Sequence, residues 1–213
     1  MENLLNDLKY MKEVLTKLED ININDIDMEK TILFIVDMNN GFARKGSLYS
    51  DRVENLINPI KNLGDYVASK NCKVVAFTDS HTKDSIELHS YPTHCLSDDE
   101  ESDVVSEIKA ISNIKIVPKN STNGFFCLNE ISFKNIENII IVGDCTDICI
   151  YQFAVTLKSY FNQNNIYKKI IVPMNLVDTY DIPKIHNAEI MNIVFFNSMI
   201  QNGVQVIKNI IYK

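Results

Sequence analysis

The chain has 213 residues, 46 % of them hydrophobic and 23 % charged, with a formal net charge of −7 at pH 7. That length and apolar content suit one large domain with a full core and exclude general disorder. The acidic balance argues against broad nucleic-acid binding, which needs a basic face, and no apolar run is long enough to span a membrane.

The N-terminus, MENLLNDLKYMKEVLTKLEDI, sets Leu4, Leu8, Met11, Leu15 and Leu18 at helical spacing among charges. This predicts an amphipathic helix and has none of the marks of a signal peptide. Residues 1–30 read as a helical extension before a domain over 31–213. Within that domain TILFIVD (31–37), CKVVAFTD (72–79), IKIVP (114–118), NIIIVG (138–143), KIIVP (169–173) and VQVIKN (204–209) are short, β-branched and strand-like. Between them 51–70, 98–111, 146–161 and 182–200 carry helical periodicity, with Pro59 placed to kink the first or move its start. Continuous apolar strands alternating with helices predict an α/β fold: a doubly wound, mostly parallel, Rossmann-like sheet of six strands with helices on both faces. The five cysteines, without a secretory signal, point to reduced thiols and a cytoplasmic location.

Ligands of such sheets sit at the carboxyl ends of the strands. Those ends carry Asp37 in VDMNNGF, Asp79 and His81 in TDSH, Lys119 in PKNSTNGF, and Cys145 and Cys149 in GDCTDICI. Singly, each has an ordinary explanation: a turn aspartate, a solvated lysine, a buried cysteine filler. Together they form a nucleophilic set. With Thr146 or Asp147 as helix cap, Cys149 falls in the first helical turn, where the helix dipole and a nearby ammonium favour thiolate and a carboxylate takes the proton. The spacing of Cys145 and Cys149 fits neither a Cys-x-x-Cys redox pair nor a complete zinc clip. Cys145 is instead read as a turn residue whose backbone N–H, with that of Cys149, faces a developing oxyanion.

The stretch DSHTKDSIELHSYPTHC, 79 to 95, holds three of the four histidines, His81, His89 and His94. Asp79 and His81 leave an extended segment on the same side. A carboxylate with imidazoles suits Zn²⁺, Mn²⁺ or Fe²⁺, and a solvated polar loop is the plainer alternative. Phe42 and Tyr91 are aromatics able to hold a flat substrate, or else to pack in the core.

These segments resemble the isochorismatase-like cysteine hydrolases, and most closely their nicotinamidase/pyrazinamidase branch, over about residues 30 to 208. VDMNNGF is similar to the family's Asp-x-x-Asn-x-Phe segment, PKNSTNGF to its lysine segment and GDCTDICI to its nucleophile segment. The resemblance implies a catalytic Asp37, Lys119 and Cys149, a substrate-stacking Phe42, and a cis peptide between Asp144 and Cys145. It implies one divalent transition metal, zinc before iron or manganese, on Asp79, His81 and His94, with Glu87 joined through water and Tyr91 against the substrate ring. His89 has no matching role and is expected to be solvated. His186 matches a helix-start position remote from the catalytic residues and is expected to be structural. Asn39, Asn40, Gly41, Asn123 and Gly124 depart from the family pattern and are expected at the pocket mouth. The implied reaction is hydrolysis of nicotinamide or a similar heteroaromatic amide through a thioester. The implied partner is a small-molecule amide, with no nucleic acid or membrane, in a homo-oligomer. A metal-free relative acting on another amide, a carbamoyl group or a vinyl ether stays open, as does a metal-binding scaffold on the same fold.

Overall fold

Each of the six β-branched runs forms a strand, in a computed structural model that describes residues 2–212. In chain order they are β1 (Thr31–Val36), β2 (Lys73–Asp79), β3 (Lys115–Lys119), β4 (Asn138–Gly143), β5 (Lys169–Pro173) and β6 (Gln205–Ile207). They make one parallel sheet in the order β3-β2-β1-β4-β5-β6. All residues of β1 and β4 are buried, as continuous apolar runs in a two-faced sheet require. Chain order reverses across the β1–β4 pair, and a crevice opens beyond the carboxyl ends of these two strands.

Four helices cover the faces: α1 (Glu2–Thr16), α2 (Ile57–Ser69), α3 (Tyr151–Gln163) and α4 (Ala188–Gln201). The pleat divides β1 between two cores. Leu33 and Ile35 pack with Ile60, Leu63 and Val67 of α2, while Ile32, Phe34 and Val36 pack with Phe153 and Leu157 of α3 and with Phe196 and Met199 of α4. Phe34 and Phe77 stack with centroids 5.4 Å apart, and Phe153 meets both edge-on at 5.0 and 5.2 Å. Residues 2–28 pack into the same body. Leu15 joins the second core, Ile23, Ile26 and Met28 the first, and Ile21–Asn22 pairs in parallel with Ile210–Ile211. No helix among the described residues is long and apolar enough to cross a membrane.

Three helical spans differ from expectation, each for a local reason. The 51–70 span breaks at Asn55 and Leu56, and Pro59 sits in the first turn of α2, where its missing N–H costs no helical hydrogen bond. Over 98–111 only Glu100–Ser102 and Ser106–Lys109 are helical. The chain between them is drawn out by tertiary bonds to the segment after β1: Asn40 N–H to Asp103 O and Val105 N–H to Met38 O, both 2.9 Å. The 182–200 helix starts at Ala188, where Asn187 Oδ1 caps Ile190 N–H at 2.9 Å; the preceding Ile182–His186 stretch closes as a tight loop.

Phe153 is fully buried and Phe126 is 68 % exposed. Urea unfolding of Phe153→Ala is expected to show a loss of about 3–5 kcal/mol, and Phe126→Ala a change within about 0.5 kcal/mol.

Candidate active site

The crevice gathers residues from four strand ends. After β1 the chain turns at Asp37, whose φ of 55° lies in the left-handed region, uncommon outside glycine and a sign of local strain. Its N–H still donates to Phe77 O at 3.0 Å. Asp79 and Lys119 are register partners at the ends of β2 and β3. β4 ends at Gly143, with φ 117°, where a Cβ would lie 2.0 Å from Val36 O; glycine alone allows that approach. The Asp144–Cys145 peptide is cis. A wide turn follows, in which Ile150 N–H donates to Cys145 O five residues back at 3.1 Å, before α3 begins at Tyr151.

Lys119 stands at the centre with its side chain wholly buried. Its ammonium lies 2.9 Å from Asp37 Oδ2, pairs with Asp79 Oδ1, donates to Ser121 O at 3.0 Å and is 3.8 Å from Cys149 Sγ. The contact with Asp37 is close but not aligned as a hydrogen bond, which leaves that carboxylate able to receive a proton. Neither Asp37 oxygen has a hydrogen-bond partner among the described residues, and Asp37 and Cys149 meet through the Lys119 ammonium between them. The Cys145 N–H donates to no group among the described residues.

Burial sets the protonation pattern. It pushes Asp37 up to about 7, opposed by Lys119 and reinforced by Asp79. It pushes the Cys149 thiol well above its ordinary value, and the Lys119 ammonium only partly offsets this. Burial thus works against the thiolate that the position of Cys149 favours, and Lys119 works for it. Burial alone would lower Lys119, but Asp37, Asp79 and Cys149 outweigh it and hold the ammonium charged. Asp144 is buried beside Cys145, and burial followed by the nearby Asp37 pushes its carboxyl well up.

Asp79, His81, Glu87 and His94 form a second cluster, with one ligand atom from each lying within 4.8 Å of all the others. Asp79 Oδ2 is 3.5 Å from His81 Nε2 and 3.6 Å from His94 Nε2. His94 Nδ1 lies 2.7 Å from Pro92 O, which only accepts, so this nitrogen carries the hydrogen and Nε2 presents its lone pair. His81 Nδ1 lies 3.1 Å from Asn120 Oδ1, and its buried Nε2 has no hydrogen-bond partner. Two imidazoles oriented through their far nitrogens, together with carboxylate oxygens, fit a divalent transition metal. Glu87 also accepts from Thr122 N–H at 3.0 Å.

A cavity of about 60 Å³ borders both clusters, with Phe42, Tyr91, His94, Cys145, Ile148, Cys149 and Tyr180 among its lining residues. The sequence model of the isochorismatase domain matches residues 31–206. The chain belongs to the isochorismatase family. Nicotinamidase 1 of Arabidopsis thaliana is 27 % identical over 85 % of this chain and 86 % of its own. A cysteine hydrolase from Pseudomonas syringae pv. phaseolicola superposes with a TM-score of 0.74 at 18 % identity, covering 90 % of this chain and 92 % of that one. A pyrazinamidase of Pyrococcus horikoshii, in complex with zinc, gives 0.67 at 16 % identity over 84 % and 99 %.

In this isochorismatase-family hydrolase the anticipated residues fall in two classes. Asp37, Lys119, Cys149, Cys145, Phe42, Tyr91, Asp79, His81, His94 and Glu87 all converge on the crevice. The residues expected at the mouth instead brace the scaffold. Asn39 is buried, donates to Asp79 O at 3.1 Å and accepts from the Thr78 hydroxyl at 2.9 Å. Asn40 donates to Glu100 O at 3.0 Å, Asn123 to Thr156 Oγ1 at 3.0 Å, and Gly124 sits against the Phe77 ring. A Cβ on Gly41 would meet Cys95 Sγ at 2.8 Å. His89 is exposed. His186 is less remote than expected, because its Nε2 lies 2.8 Å from Asp147 Oδ2 on the nucleophile turn. Sequence reading missed Leu48, Ile148 and Tyr180 as pocket walls. Tyr180 does follow β5, but a short turn at Met174–Leu176 separates it from the strand end and hides the signal.

Lys119→Ala would leave Asp37 and Asp79 buried without their shared cation. It is expected to lower unfolding free energy by about 3–5 kcal/mol in denaturant titrations. Lys115→Ala, which removes an exposed pair with Glu130, should cost under about 1 kcal/mol.

Proposed function

We propose that this protein hydrolyses a small heteroaromatic carboxamide, nicotinamide or a close analogue, to the acid and ammonia through a thioester on Cys149. One observation carries the reading: a wholly buried Lys119 holds Asp37 and Cys149 together at the floor of a pocket whose wall is a histidine–carboxylate cluster. The naming of the Arabidopsis relative as a nicotinamidase, and the bound zinc of the Pyrococcus pyrazinamidase, support the substrate class and the metal.

Asp37 takes the thiol proton, and the sulfur attacks the carboxamide carbon. A base with a pKa near 7 is matched to that transfer at neutral pH. Lys119 supplies the countercharge to the sulfur anion, and the Cys145 and Cys149 N–H groups receive the negative carbonyl oxygen. The C–N bond then breaks as Asp37 returns its proton to the leaving nitrogen. With ammonia gone, Asp37 removes a proton from water, whose oxygen attacks the thioester and releases the carboxylic acid and the thiol. Phe42 and Tyr91, both in the pocket wall, offer aromatic surface to the substrate ring. Asp79, His81 and His94, with Glu87 through water, would hold one divalent transition metal, zinc first among candidates. Bound there, the ion supplies a Lewis-acidic anchor for a ring nitrogen and thereby orients the substrate.

Only ionised Asp37 accepts the thiol proton, so activity is lost as pH falls through the Asp37 pKa. The kcat/KM profile on nicotinamide, followed by ammonia release, is expected to have an acid limb near 7. Asp37→Asn should reduce turnover by about 10²–10⁴-fold at all pH values. Near-normal turnover in that variant would remove Asp37 from the mechanism.

Elemental analysis of the purified protein is expected to find up to one transition-metal ion per chain. His94→Ala should lose most of it and raise KM, while iodoacetamide still alkylates Cys149. His89→Ala should keep the metal. Retention of metal after loss of both His81 and His94 would refute the site.

A further inference from the structure

The stretch Asp178 to Asn187 has no part in the chemistry above, yet it is pinned at nearly every residue. Arg52 donates to Asp178 Oδ1 at 2.7 Å and to Thr179 O at 3.1 Å. Ile182 and His186 exchange backbone hydrogen bonds of 2.8 and 2.9 Å around Pro183 and Lys184, the latter at φ 70°. Asp181 Oδ1 accepts from Ala188 N–H at 2.8 Å and ties the loop to the start of α4. The residue this bracing serves is Tyr180. Its ring lies flat on His186, with centroids 3.9 Å apart and an interplanar angle of 16°. His186 Nδ1 is 2.9 Å from Tyr180 O and Nε2 is 2.8 Å from Asp147 Oδ2, while the other Asp147 oxygen accepts from the Thr179 hydroxyl at 2.6 Å. Asp147 lies two residues before Cys149, so the nucleophile turn and the Tyr180 ring are locked to one another.

Tyr180 also borders two cavities. One is the reaction pocket of about 60 Å³ beside Cys145 and Cys149; the other is an outer space of about 360 Å³ lined by Ser47, Tyr49, Ser50, Asp51 and Asp181. Leu48 borders both as well. A phenol ring and one leucine are therefore shared by a small pocket beside the cysteines and a space of mixed lining several times larger.

We propose that Tyr180, completed by Leu48, is the specificity-determining wall that limits substrates to single-ring amides, and that His186 is the positioning residue that holds it closed. The proposal rests on the amide-hydrolase reading for its substrate class. Removing the ring joins the two spaces, and amides extended by a second ring then reach Cys149 without displacing Phe42 or Tyr91. A hydrophobic wall discriminates by shape, so the effect falls on large substrates selectively.

The test uses alkylation of Cys149 by iodoacetamide and by its two-ring N-biphenyl analogue, with rates read on the Cys149 peptide by mass spectrometry. The ratio of the two rates cancels changes in thiol reactivity. Tyr180→Ala is expected to raise the N-biphenyl rate relative to iodoacetamide by about ten-fold or more, and Leu48→Ala to move the ratio the same way. Tyr180→Phe should keep the wild-type ratio, since the ring and not the hydroxyl forms the wall. His186→Ala should shift the ratio part-way, and His186→Phe, which keeps a ring to stack on, should restore it. A general loosening of the fold would lower stability without such rescue. An unchanged ratio in both Tyr180→Ala and Leu48→Ala overturns the proposal. Wild-type failure to hydrolyse any amide would overturn the amide reading instead, because the alkylation ratio needs no amide turnover.

Discussion

A single buried ammonium organises this protein. Lys119 has no exposure at its side chain, and a charge so placed persists only where oxygens surround it. Two carboxylates, a backbone carbonyl and a sulfur do so here. Each comes from a different part of the sequence, so the sheet order is what makes the arrangement possible. β3 carries the lysine, β2 beside it carries Asp79 in register, β1 carries Asp37, and β4 leads to Cys149. The apolar runs form the sheet, and the sheet holds apart charges that no local segment could assemble.

Burial then sets the chemistry, and it does so against the local expectation. A cysteine at a helix start beside a lysine reads as a thiolate. In the structure Cys149 lies in a single π-helical turn, Thr146–Ile150, that runs directly into α3, so the sulfur does sit in the first helical turn, but it is also buried. Burial pushes the thiol up against the pull of Lys119, and the same desolvation raises Asp37 to about 7, so one physical cause acts on both members of the proposed nucleophile–base pair.

The legible parts of the molecule were those governed by one strong local signal. The six strands of the main sheet were readable because short β-branched, largely apolar runs such as Thr31–Val36 suit burial on both faces, and the strand-end rule then found Asp37, Asp79, Lys119 and the cysteine turn, whereas the two-residue pairing of Ile21–Asn22 with Ile210–Ile211 carries no such signal. The helix over 98–111 was misread because its acidic, helix-favouring residues are used by long-range bonds to Asn40 and Met38, which no periodicity records. Asn39 and Asn123 were placed at the mouth on pattern alone, whereas their amides satisfy buried backbone and hydroxyl groups below it. Tyr180 was illegible for a related reason. Its place depends on stacking with a histidine six residues on and, through that histidine, on an aspartate over thirty residues earlier.

Asp79 joins the two halves of the site. Its Oδ1 pairs with Lys119 and its Oδ2 faces His81 and His94. The carboxylate is thus divided between the two clusters, one oxygen to each. Its backbone carbonyl is fixed by Asn39, which is itself held by the Thr78 hydroxyl. In the proposed mechanism Lys119 sets the charge felt by the sulfur, and the histidine cluster sets the position of the ring. A carboxylate gripped from both sides turns these into one rigid distance. Of the residues that depart from the family pattern in VDMNNGF, Asn39 belongs to this brace, because its amide holds the Asp79 carbonyl while Thr78 holds the amide, so a change there reaches both clusters through one carboxylate.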